Sequence, residues 1–410
     1  MKAPKLRFKA FEDEYSNTKL SSLLIEDIKN GTQNKEGQNE FNIKFINVVN
    51  LYRLTINVDE LTYIDKDIEK IKPYLVYEGD LFYTRSSLTA EGIAHCNIYS
   101  DEYSPITFDD HIMRVRVNEK IASPNFIKLY SLSSKARKYF MSVAKTGTMT
   151  TIGQSEINNL GIKLPSYEEQ VKIAEFFSIL DTKIQLQQEK IDLLKEQKKG
   201  YMQKVFKQEI RFKDEDGRDY KSWIYNPLSK IADKISKKNK DLVVTNVISN
   251  SASKGLISQI EYFEKHIANK ENIGGYYVIS TGDFVYNPRI SSEAPYGPVN
   301  IYTNKADGIV SPLYTCFRFK ESNKKFIYYY FKSSLWHKYV YTNGDSGARH
   351  DRVSIKDSTF FEMPIALPSL EEQEKIATFF SKLDGKIQLE QQKLEALHQQ
   401  KKGFMQQMFI

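Results

Sequence analysis

Cysteine is nearly missing: Cys96 and Cys316 are the two in 410 residues, one in each half of the chain. Two thiols so far apart cannot build a disulfide framework, which points to a reducing compartment. No apolar run approaches the ~18 residues that a membrane span needs. Residues 1–15 are charged and hold no apolar signal core. The expected location is cytoplasmic, with no membrane partner. Tryptophan is scarce too, 2 against 26 tyrosines, so the large aromatic surface carries hydroxyls and suits polar recognition. The net charge of +7 is a modest basic excess, compatible with an anionic partner such as nucleic acid.

Catalytic and cofactor motifs are also lacking. There is no Gly-x-x-x-x-Gly-Lys phosphate loop. Asn287-Pro288-Arg289 is the nearest approach to the Asn/Asp-Pro-Pro-aromatic motif of adenine methyltransferases, and it lacks the second proline. The six histidines show no metal-ligand spacing with each other or with the cysteines, so no metal site is expected. Acidic pairs such as Asp109-Asp110 and Glu168-Glu169 read as solvated turns or helix starts. No catalytic residue is expected on this chain.

What is present is a repeat. Leu164-Pro165-Ser166-Tyr167-Glu168-Glu169-Gln170 opens a charged, apolar-striped run that closes at Phe206, and Leu367-Pro368-Ser369-Leu370-Glu371-Glu372-Gln373 opens its twin, closing at Phe409. The copies lie 203 residues apart without a gap, and about two positions in three are identical. Ser166 with Glu169, and Ser369 with Glu372, predict reciprocal capping boxes. Apolar residues then recur in steps of four and three. The first seam is Ile173, Phe177, Leu180, Ile184, Ile191 and Leu194, then Tyr201 and Val205. The second is Ile376, Phe380, Leu383, Ile387, Leu394 and Leu397, then Phe404 and Met408. This is a heptad pattern, broken by Gln187 and Lys198 in one copy and by Glu390 and Lys401 in the other. About 40 residues at ~1.5 Å each predict two rods of ~60 Å. The sequence leaves open whether the helices kink at Asp384-Gly385, where glycine is a poor interior residue, and at the matching Asp181-Thr182.

The globular parts repeat as well. Residues 1–165 form one domain and 208–368 the second; residues 166–207 and 369–410 are the helices. Gly79-Asp80 and Tyr83 recur as Gly282-Asp283 and Tyr286, and Asn97-Ile98-Tyr99 recurs as Asn300-Ile301-Tyr302. Strands are expected over residues 41–50 and 111–117, a turn feeding another strand over 76–83, and a helix over 125–140. Between these anchors the loops differ: residues 84–87 become 287–292, and residues 145–151 become 344–352. One scaffold with two sets of loops suits the reading of two ligands. Arg85, Arg289, Arg349 and Arg352 are candidates for guanine edges, in loops shared with Ser86, Ser87, Thr146, Thr148, Thr150, Ser291, Ser292 and His350. Lys35, Lys145, Lys237, Lys238 and Lys240 are candidates for phosphates.

With Leu-Pro-Ser-x-Glu-Glu-Gln-x-Lys-Ile-Ala at 164–174 and 367–377, and Gln-Lys-Lys-Gly-x-Met-Gln at 197–203 and 400–406, the chain resembles the specificity subunits of Type I restriction-modification systems. The resemblance spans the full length. It implies an α+β fold: two similar α/β target-recognition domains separated by two long antiparallel helices in a coiled coil, with a pseudo-twofold internal repeat. It implies a non-catalytic subunit that binds double-stranded DNA, two modification (methyltransferase) subunits and two ATP-dependent restriction subunits. S-adenosylmethionine, ATP and Mg would then belong to those partners and none to this chain. Dyad-related domains would read dissimilar half-sites about one turn, ~34 Å, apart, with the coil as ruler. Four residues inserted in both rods, between Leu186 and Ile191 and between Leu389 and Leu394, add ~6 Å to each. Methylome sequencing should then show a spacer longer by one or two base pairs. An unchanged spacer would refute the ruler. A coiled-coil scaffold with protein-binding ends is the alternative, and it expects no salt-dependent DNA affinity. A self-sufficient methyltransferase or nuclease would itself bind S-adenosylmethionine.

Overall fold

A computed structural model of the protein describes residues 4–33, 43–259, 270–345 and 351–409. Two compact units emerge: Met1–Glu189 together with Gln391–Ile410, and Lys190–Glu390. Each unit holds one globular domain and part of both long helices, Tyr167–Phe206 and Leu370–Met408.

In the first unit a four-stranded antiparallel sheet runs Lys29–Asn30, Ile112–Val115, Leu81–Thr84, Cys96–Ile98 in spatial order. The sequence Leu-Phe-Tyr-Thr is buried at every position, as expected of a central strand covered on both faces. A second sheet sets Ile43–Ile46 antiparallel to Thr62–Ile64 and parallel to Ile106–Phe108. Ser16–Lys19 pairs with Gly161–Leu164 and brings the domain's two ends together beside the long helix. The helix expected over 125–140 is in fact two, Pro124–Leu132 and Ser134–Val143. Ser133 divides them: its backbone is extended, and its Oγ accepts from the Ala136 N–H at 3.3 Å, which starts a new helix instead of continuing the old one.

The second unit repeats the plan. Its central sheet runs Ala232–Lys234, Thr315–Phe319, Phe284–Tyr286, Val299–Ile301, and Ile224–Pro227 pairs with Pro364–Leu367. Its second sheet runs Gly255–Ser258, Val247–Ser251, Gly308–Val310, Tyr277–Ile279. Tyr277–Ile279, paired antiparallel with Gly308–Val310, gives this sheet one strand more than its counterpart, and the hairpin joined at residues 252–254 matches the pair Ile43–Ile46 with Thr62–Ile64. Helices Lys324–Lys332 and His337–Asn343 follow.

The repeated sequence anchors are structural joints. Gly79 and Gly282 adopt φ of +85° and +93°, a region open to glycine. The aspartates that follow are fully buried. Asp80 accepts from the Tyr77 N–H and from Arg116, and Asp283 from the Ser280 N–H and Arg318. The Leu-Pro-Ser motif works likewise. Ser166 and Ser369 accept from the amides of Glu169 and Glu372 at 3.4 and 3.3 Å, so half of each predicted capping box is present. The returning half is not, and neither acid is a solvated helix start. Glu169 is buried and takes Arg7 (2.9 and 2.8 Å) and the Tyr15 hydroxyl; Glu372 takes Arg211 and the Trp223 indole N–H. A buried carboxylate needs a cation, and the arginine outcompetes a single backbone amide. Gln170 and Gln373 complete each joint by accepting from Ser123 and Asn323, the residues that cap the domain helices.

The two long helices pair antiparallel inside each unit. In the first, Phe176 meets Phe404 edge-on (5.1 Å) and Phe177 packs on Phe409. In the second, Tyr201 meets Phe379 (5.4 Å) and Phe206 stacks on Phe380. Of the predicted seam, Ile173, Phe177, Leu180, Ile184, Ile191, Leu194, Ile376, Phe380 and Ile387 are buried, while Leu383, Leu394 and Leu397 are half-buried. Both helices run unbroken through Asp181 and Asp384. Those aspartates receive the seam-breaking lysines, Lys401 on Asp181 and Lys198 on Asp384, and Lys190 reaches Glu390 at 3.0 Å. Three of the four polar breaks, Lys198, Glu390 and Lys401, are thus met by complementary charges, which specify register at some cost to stability.

Candidate nucleic-acid interface

The two loops singled out in the first domain are brought together. Ser86–Ser87 and Thr150–Thr151 form a short antiparallel ladder. Lys145 and Thr151 exchange two backbone hydrogen bonds of 2.9 Å, closing residues 146–150 into a tight projection. Arg85 is clamped at its root: its N–H donates to His111 O (2.7 Å), and its C=O accepts from Ile152 N (3.0 Å). Its guanidinium is exposed and touches one carbonyl, Asp110 O, at 3.2 Å. A held backbone under an exposed cationic fork is a stiff arm, suited to bidentate reading.

Arg85, Lys145, Thr146 and Thr148 are exposed on this projection and Ser87 half so, whereas Ser86 and Thr150 are each 7 % exposed. These two hold the loop from inside rather than line its surface: Ser86 Oγ lies 2.7 Å from His111 Nδ1. His111 and the Asp109-Asp110 turn were missed as members of the site. Their signal, a charged turn ahead of an apolar strand, is too common to have singled them out. The cleft they border, about 390 Å³, is lined by Arg85, His111, Lys145, Met149 and Glu156 among others.

In the second domain the same positions carry different chemistry. Arg289 bridges to Arg352 much as Ser86 does to Thr151, but the loop is closed two residues further on, by Asp345 on Ser354, where in the first domain Thr151 itself meets Lys145. Asp351 accepts from Arg289 (3.3 Å) and lies 3.8 Å from Arg352, so one carboxylate orients two guanidinium groups. Ser291 and Ser292 are exposed on the loop beside them. A cleft of about 310 Å³ lies between this loop and residues 249–253 of the hairpin. Lys237, Lys238 and Lys240 are exposed elsewhere in this unit, next to the strand Tyr277–Ile279. Lys35, Arg349 and His350 lie outside the described residues.

Asn287, the nearest approach to a methyltransferase motif, is 9 % exposed and wholly engaged. Its amide donates to Asn250 O and its Oδ1 accepts from the Arg289 N–H. Asn300 donates to Asn250 Oδ1 and to Ser251 O, as Asn97 donates to Leu51 O and Arg53 O in the first domain. The repeated asparagine therefore fastens a variable segment to a constant sheet. Burial pushes the Cys96 thiol up to about 12 and raises Cys316 as well, so neither is primed as a nucleophile.

The family model described as Type I restriction modification DNA specificity domain matches this chain twice, over residues 13–196 and 226–399. The putative type I restriction enzyme MjaX specificity subunit of Methanocaldococcus jannaschii is 25% identical over 410 residues, covering 93% of this chain and 90% of that protein. Two solved structures share the fold. One is a chain of a type I R-M system, with a TM-score of 0.60 at 12% identity, covering 96% of this chain and 97% of that one. The other is the S subunit of a Type-I restriction-modification system from M. genitalium, at 0.53 and 13%, covering 100% and 99%.

Proposed function

This chain belongs to the Type I restriction-modification DNA specificity family, and from that premise we propose that it reads an asymmetric, bipartite duplex target, one half-site per domain. The observation that carries this is the repeated loop mount with unlike contents. Ser86 and Thr151 in the first domain stand where Arg289 and Arg352 stand in the second. Similar mounts present both loops from the same place in the scaffold, and unlike side chains then demand unlike bases. Arg85, Arg289 and Arg352 are assigned to base edges, and Lys145, Lys237 and Lys238 to phosphates.

The chain itself is a DNA-recognition subunit. In the assembled system it would hold two modification subunits, which bring S-adenosylmethionine to adenine methylation, and two restriction subunits, which bring ATP and Mg to cleavage. The exposed faces of the long helices and the adjoining domain surfaces are where we dock the modification subunits. A cytoplasmic location follows from that chemistry; among the described residues no helix is long and apolar enough to cross a membrane.

Exchanging residues 1–165 for the corresponding domain of another specificity subunit tests the reading. The methylome of a strain carrying the exchange should keep one half-site and change the other. A change in both halves, or in neither, would count against it.

A further inference from the structure

Each unit carries a cleft between domain and long helix at the start of the domain helix, and the two linings differ in charge. In the first unit it is lined by Glu78, Glu119 and Glu175, with Pro124 and Asn125 at the start of the domain helix. In the second, a cleft of about 640 Å³, the helix starts with Lys324 and Lys325, and Lys254 and Lys332 join them. The acid in this cleft, Asp384, is already met by Lys198. Two lysines in the first turn of Lys324–Lys332 oppose the helix dipole, which favours anions there. A local rule broken in one copy of a repeat, where the other copy has only Pro124 and Asn125, points to function.

The cleft is continuous with the reading loop. Its wall is the hairpin at residues 252–256, and Ala252 and Ser253 also line the cleft that holds Arg289 and Ser291. A buried relay stiffens that wall: Lys332 Nζ donates to Asn300 Oδ1 (2.7 Å), and Asn300 holds Asn250 and Ser251. Burial, with Lys198 adding to it, pushes the Lys332 ammonium down to about 8. The Lys324 ammonium lies where a Cβ on Gly282 would stand, so a constant glycine seats a variable cation.

We propose that Lys254, Lys324 and Lys325 bind backbone phosphates of the DNA flanking the second half-site, a contact that the first domain does not make. This rests on the DNA-recognition reading above. The bound duplex is then gripped unequally, with the salt-sensitive part of its affinity concentrated on the second domain. Each phosphate neutralised contributes about 0.9 to the slope of log K against log salt.

The test is K324Q/K325Q in the full chain, assembled with modification subunits and titrated with cognate duplex across a salt series. Both side chains are exposed, so the variant should melt like the wild type. Its affinity should fall about tenfold near 0.15 M salt and its slope by about 2, with base preferences unchanged. Unchanged affinity and slope in a wild-type background that binds normally would overturn the cleft proposal alone. Loss of co-elution with modification subunits, at unchanged DNA affinity of the assembled fraction, would also overturn it, by making the cleft a dock for an acidic protein surface. A wild-type complex without salt-dependent affinity would overturn the recognition reading along with it.

Discussion

Glu372→Ala is expected to destabilise the chain by about 3–5 kcal/mol in urea unfolding, the cost of breaking a buried ion pair from one side. The carboxylate is fully buried and has three donors: Arg211 Nε and a terminal guanidinium nitrogen, at 3.3 and 2.7 Å, and the Trp223 indole at 3.2 Å. Truncation strands a guanidinium whose side chain is 22% exposed and an indole N–H with no partner. It also loosens the point where the domain's first segment is tied to the start of the long helix. Glu169→Ala should behave alike in the first unit, since Arg7 and Tyr15 converge on it in the same way. Removing both partners, as in R211M/E372A, should recover part of the loss, because an apolar pair avoids desolvating charge. A loss below about 1 kcal/mol would mean that water already reaches this carboxylate.

These joints also mark how far the sequence could be read. The repeat, the heptad seam and the Gly-Asp and Asn-Ile-Tyr anchors are visible because they recur at fixed spacing, and periodicity is a local signal. The role of Glu169 is not local. Its partner, Arg7, lies 162 residues away, and only folding shows that the arginine displaces the expected backbone contact. The break at Ser133 was hidden for a related reason: one serine serves both as the end of one helix and as the cap of the next. In the candidate site, residue types were legible but their grouping was not. Arg85 and Lys145 are 60 positions apart in sequence and meet through a two-residue ladder too short to read as strands. Ser86 and Thr150 are buried although they lie on opposite faces of that ladder, Ser86 across from Thr151 and Thr150 across from Ser87, so no alternation in the sequence marks them as inward. The Asp384 position shows the reverse. A glycine that predicts weakness sits in open space, while the aspartate before it does the structural work of receiving Lys198.

Arg85→Ala should weaken binding of the cognate duplex by the assembled complex about 10- to 100-fold, the 1–3 kcal/mol of a lost bidentate base contact. The loss should relax base preference in the first half-site and leave the second untouched. Arg289→Ala should do the converse. The two arginines reach that result by different preorganisation. Arg85 has a clamped backbone and a head with one carbonyl contact, so its geometry comes from the loop. Arg289 and Arg352 take theirs from the carboxylate of Asp351. Asp351→Ala should therefore cost selectivity in the second half-site while leaving every cation in place, an effect that no pure phosphate contact would show. Lysine at position 85 would keep the charge but lose the planar fork, and so restore affinity on arbitrary duplex more than selectivity. Selection from a randomised duplex pool, repeated across a salt series, reads all four variants together. A phosphate contact weakens binding about equally on every sequence and lowers the salt slope by about 1, whereas a base contact narrows the gap between cognate and random duplex. If Arg85→Ala gave the first pattern, or relaxed bases in the second half-site, the assignment of reading heads to these loops would fail even with the family and the fold intact.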